Sequence, residues 1–99
     1  MANAKLILDS KTVLQDGRIL QRTVWLLPAN QAERLHGFKY RLHCGRTGQT
    51  IVRYDSETGK GDRRHIGANE AEMAYGFTTL VKLLKDFVQD VERLAGEIK

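Results

Sequence analysis

Between Val52 and Gly67 the chain brings together the side chains that phosphate chemistry requires. The segment holds five basic residues (Arg53, Lys60, Arg63, Arg64 and His65), three carboxylates (Asp55, Glu57 and Asp62), the phenol of Tyr54, and glycines at Gly59, Gly61 and Gly67. A hairpin tip needs no such collection. Gly59 and Gly61 around Lys60 let the backbone take positive φ and turn N–H groups toward an anion. Lys60, Arg63 and Arg64 can neutralise phosphate, the arginines in bidentate fashion. His65 is the residue of the segment whose ordinary proton affinity lies near neutrality. Metal-independent RNA cleavage needs a base for the 2′-hydroxyl, an acid for the leaving oxygen and cations for the charged transition state. Tyr54, Lys60, Asp62 and His65 are the candidate catalytic set, expected to converge where the fourth strand ends and a short fifth begins.

Other chemistries fit less well. The Gly-Lys-Gly run lacks the GxxxxGK[ST] spacing of a nucleotide-binding loop. Asp55, Glu57 and Asp62 suit Mg²⁺ in type, but scattered loop carboxylates are usually solvated, so no metal and no cofactor is expected. His36, His43 and Cys44 give no metal-ligand spacing, and Cys44 falls on the apolar side of its strand. Lys39, Arg41, His43 and Arg53 form a basic stripe that serves equally as a solvated face. With the loop cations, Lys39, Arg41, Arg53, Lys60, Arg63 and Arg64 make the candidate nucleic-acid contacts.

The elements that must position these groups read as α+β. Asp16-Gly17 is a two-residue hairpin signal, placing Leu8 opposite Trp25, Thr12 opposite Gln21 and Lys11 opposite Arg22. Pro28 ends the second strand, and residues 29–37 read as a polar loop. Phe38, Tyr40, Leu42 and Cys44 alternate with Lys39, Arg41 and His43 in a third strand. Gly45 to Gly48 closes a second hairpin, whose three-residue form pairs Leu42 with Val52 and Tyr40 with Tyr54. Residues 63–66 suggest a short fifth strand. From Leu80 the apolar positions Leu84, Phe87, Val91, Leu94 and Ile98 follow helical spacing, with Thr78 as N-cap. The expected fold is one antiparallel sheet of four to five strands with one long C-terminal helix, 78–98, across an uncharged face.

At 99 residues the chain makes a single domain, 1–99, and 41% hydrophobic content with one proline excludes disorder. Sixteen Lys and Arg against twelve Asp and Glu give a net charge of +4, a modest electrostatic footprint for phosphate partners. Cys44 is the single cysteine, so no intrachain disulfide forms. No signal peptide and no membrane-spanning apolar run is read, which points to the cytoplasm.

Ala4-Lys5-Leu6-Ile7-Leu8-Asp9-Ser10, Lys39-Tyr40-Arg41-Leu42, Arg53-Tyr54-Asp55, Gly59-Lys60-Gly61-Asp62 and Arg64-His65-Ile66-Gly67, followed by a helix with Asp86-Phe87 and Asp90-Val91, resemble the TumE family of small toxins over nearly the whole chain. In that pattern Asn usually follows Asp55 and His follows Asp62; here Ser56 and Arg63 stand there, which leaves His65 alone. The resemblance implies a toxin–antitoxin toxin with a helix-turn-helix antitoxin as partner. Three functions compete: a ribonuclease, a non-enzymatic nucleic-acid-binding module, and an antitoxin-docking subunit. RNA is the expected partner and no membrane is, while the helix seam offers a surface for a homodimer.

Overall fold

Consecutive strands pair throughout. A computed structural model describes residues 4–27, 37–46, 48–57, 61–67 and 71–95. Lys5–Val13 (β1), Ile19–Leu26 (β2), Phe38–Arg46 (β3), Gln49–Glu57 (β4), Gly61–Ile66 (β5) and Ala71–Ala74 (β6) form one antiparallel sheet in the order β1-β2-β3-β4-β5-β6. Leu80–Ala95 is the helix α1. The sheet has six strands where four to five were expected. Ala71-Glu72-Met73-Ala74 lacks β-branched residues and alternation, so nothing local marks it; its pairing with β5 makes it a strand. None of the described helices is long and apolar enough to cross a membrane.

The helix packs on the face that carries Val24, Tyr40, Leu42, Cys44, Val52 and Tyr54, all buried. Leu83 and Phe87 are fully buried against it, with Val91 and Leu94 nearly so. Leu84 and Val88 are half-buried on the flank, so the buried stripe is centred on Leu83 and Phe87, about one residue from the expected axis. The helix begins two residues later than its expected cap. Thr79 supplies that cap: its Oγ1 accepts the amide of Lys82 at 3.1 Å.

Both hairpin registers differ from expectation. In the first, Thr12 pairs with Leu20 and Lys11 with Gln21, one residue away from the two-residue-turn alignment. The loop is Gln15-Asp16-Gly17: Leu14 donates to Arg18 O at 2.8 Å, Gly17 takes φ +89°, and Asp16 Oδ1 accepts the Arg18 amide at 3.1 Å. A one-residue slip exchanges the faces of β2, so Arg22 joins Ser10 on the helix side while Gln21, Thr23 and Trp25 join the open side. The helix-covered face is therefore not free of charge. In the second hairpin Leu42 pairs with Tyr54 and Cys44 with Val52, two residues from expectation, and the faces survive. A register shift at Cys44/Gly45 separates that pairing from the end of the hairpin, where Arg46 pairs with Gln49. Gly45 is required there, since a Cβ would meet Gln49 O at 2.3 Å. Pro28, residues 29–36 of the expected polar loop, Thr47, Gly59, Lys60 and Ile98 lie outside the described residues.

Candidate nucleic-acid interface

Direct cross-strand partners project from the same face, so the register assigns every functional side chain to a side. Away from the helix, Gln21, His43, Arg53, His65 and Glu72 form one row across β2 to β6. Thr23, Arg41, Asp55, Arg63 and Ala74 form the next. Trp25 pairs with Lys39 beyond them, and the Lys39 ammonium lies 5.4 Å from the Trp25 ring centre. No described helix covers this face. Gln21, Thr23, Trp25, Arg41 and His43 line a depression of about 390 Å³ on it.

Within the first row the side chains touch. Arg53 Nη2 lies 3.4 Å from His65 Nδ1 and 3.2 Å from Nε2, so the guanidinium rests over the imidazole rather than on one of its nitrogens. His65 Nε2 is also 3.5 Å from Glu72 Oε1. The His65 side chain is only 8% exposed, roofed by Arg53 and flanked by the more open Glu72. His43 Nε2 meets Thr50 Oγ1 at 3.2 Å. Arg53 Nε stands 3.4 Å from Asp55 Oδ2, two residues along the same strand. The face thus joins Lys39, Arg41, Arg53 and Arg63 to two carboxylates and two histidines.

The helix side holds a different set. Each tyrosine of the chain donates its hydroxyl to an aspartate: Tyr40 to Asp62 at 2.6 Å, Tyr75 to Asp86 at 2.6 Å, and Tyr54 to Asp90. Burial, and then the adjoining carboxylate, push all three phenols above their ordinary range. Arg64 lies over the Tyr54 ring and pairs with Asp90 at 3.2 Å. Asp86 is held below the usual carboxylate range, first by the Lys82 hydrogen bond and then by Tyr75. Near the first hairpin, Arg18 is buried and donates to Val91 O at 2.9 Å, tying the loop to the helix.

The expected convergence of Tyr54, Asp62 and His65 does not occur. Tyr54 and Asp62 face the helix, where their polar atoms are engaged, and His65 projects from the opposite side. Lys60, the fourth member, is outside the described residues. Asp55 and Asp62 likewise face opposite sides, so they do not gather around one ion. Of the expected nucleic-acid contacts, Lys39, Arg41, Arg53 and Arg63 share the open face, while Arg64 belongs to the helix side. Trp25, Gln21 and Thr23 were missed because the first hairpin was read one residue out of register. Asp86 and Asp90 were missed too, although two carboxylates four apart beside Phe87 mark the flank of a buried stripe.

The family model described as Toxin TumE matches residues 3–95. The chain belongs to the TumE toxin family. A toxin of this kind acts opposite an antitoxin. No curated protein and no solved structure matches the chain.

Proposed function

We propose that this toxin acts on RNA, holding a single strand against the open face of its sheet. The observation that carries the reading is the placement of Lys39, Arg41, Arg53 and Arg63 beside Trp25 on one face that no described helix covers. Arginines track phosphates, an aromatic ring offers a base its π-face, and single-stranded RNA exposes both. The depression at Gln21, Thr23, Trp25, Arg41 and His43 supplies hydrogen-bonding groups for a base edge. Affinity for single-stranded RNA should fall steeply with salt. Arg41→Ala, Arg53→Ala and Arg63→Ala should each reduce the slope of log K against log salt by about 0.7. Arg64→Ala, on the helix side, should leave the slope unchanged. Binding indifferent to salt would overturn the proposal and leave the basic face as an antitoxin-docking surface, with a helix-turn-helix protein as its expected partner.

The burial of His65 beneath Arg53 favours holding RNA over cutting it. The second reading is a metal-independent ribonuclease, favoured by the line His43-Arg53-His65-Glu72. Glu72 or His65 would take the 2′-hydroxyl proton as that oxygen attacks phosphorus. Arg53 would neutralise the pentacoordinate phosphate, and a histidine would protonate the departing 5′-oxygen. Cleavage in chelator that Glu72→Gln abolishes, with RNA binding retained, decides for the ribonuclease. RNA bound and left intact decides for the binding module.

A further inference from the structure

Among the described residues β1 is one edge of the sheet, with β2 as its only strand neighbour, and none of its nine residues is buried. A long edge is a template for another strand. Leu14, one residue past β1, donates to Arg18 O at 2.8 Å and accepts from Gly17 at 3.0 Å, so its backbone groups point toward β2. Pairing with β2 is regular from Leu8 to Val13. Alternation therefore turns the backbone groups of Leu8, Ser10 and Thr12 inward and those of Asp9, Lys11 and Val13 outward.

We propose that this edge pairs antiparallel with β1 of a second copy of the chain, centred on Ser10. Outward groups must meet outward groups, which limits the choice of register. Centring on Asp9 sets Asp9 against itself, and centring on Lys11 sets Lys11 against itself, both like-charge contacts. Centring on Thr12 sets Lys11 against Val13 and makes no ion pair. The Ser10 register places Asp9 opposite Lys11 of the second copy, and Lys11 opposite its Asp9. These are the residues whose outward N–H and C=O groups then bond each other. Asp9 and Lys11, charges that ordinarily guard an edge, become self-complementary. The irregularity between Leu6 and Leu8 falls outside the paired stretch Leu8 to Thr12.

Antiparallel pairing of identical strands puts the twofold axis perpendicular to the sheet. Both helices then lie on one side and both open faces on the other, joined into one twelve-stranded surface. Five residues on each copy make a small interface, so the dimer is weak and concentration-dependent. The inference does not depend on what the open face binds.

Analytical ultracentrifugation of the full chain over a range of concentrations tests it. The expected result is a mass rising from one chain to two. Lys11→Asp should weaken dimerisation by about tenfold or more, equivalent to ~1.4 kcal/mol. The exchange Asp9→Lys with Lys11→Asp should restore it. Lys11→Pro removes an amide that the chain's own ladder does not use, and should abolish the dimer without lowering the melting temperature. A monomer at every concentration, or a dimer that ignores both Lys11 variants, overturns the proposal.

Discussion

Each tyrosine hydroxyl ends on a carboxylate, and the Tyr54–Asp90 pair has the most at stake because both are buried. Asp90 also lies 3.2 Å from Arg64 and 3.3 Å from Arg93. Tyr54→Phe removes one hydrogen bond to a charged group yet leaves that carboxylate with two cations. The expected loss is ~1.5–3 kcal/mol in denaturant titration, with salt-dependent RNA binding unchanged. A loss of RNA binding in a folded Tyr54→Phe protein would return Tyr54 to the functional site. The unusual segment was legible from residue types, but its division between two faces was not. Asp62, Arg63, Arg64 and His65 are polar without interruption, so no apolar alternation says which of them turns inward. Asp62 and Arg64 face the helix because Tyr40 and Asp90 partner them there.

Among the elements, α1 and β3 were legible because their apolar residues repeat at 3.6 and 2. The hairpins were not, since one residue of loop length decides a register and Asp16-Gly17 fits loops of two or three residues. Asp16 Oδ1 selects the longer one by accepting the Arg18 amide, and the buried Arg18 side chain then reaches the helix. The helix is anchored chiefly by Leu83 and Phe87, each fully buried; the Phe87 ring lies edge-on to Tyr54 with centroids 5.6 Å apart. Phe87→Ala should cost ~3–5 kcal/mol in chemical denaturation. A cost under ~1 kcal/mol would mean that the helix does not pack on this face. Val81→Ala is the contrast: Val81 is 70% exposed, and its truncation should change stability within about 0.5 kcal/mol.

For the whole molecule, the tyrosine–aspartate contacts tie three strands or strand ends to their neighbours, and they make stability depend on alkali. All three tyrosines of the chain are in this set. Their phenols titrate above the ordinary value of 10.0 in the folded protein. A group raised on folding contributes stability that is fully present below its unfolded pKa and is lost as pH climbs through the folded one. Above pH 10 the unfolded chain releases these protons while the native chain retains them. Each of the buried pair, Tyr40 and Tyr54, then removes ~1.4 kcal/mol per pH unit. Against a domain stability of about 5–15 kcal/mol, that slope leads to cooperative unfolding within a few pH units. Tyrosinate absorbance and loss of circular dichroism should therefore rise together, after a lag past pH 10. Tyr54→Phe, lacking one such group, should start less stable but lose stability with a shallower alkaline slope. Smooth tyrosine ionisation centred near 10 in a chain that stays folded would show that the hydroxyls are open to water, and that these contacts do not hold helix to sheet.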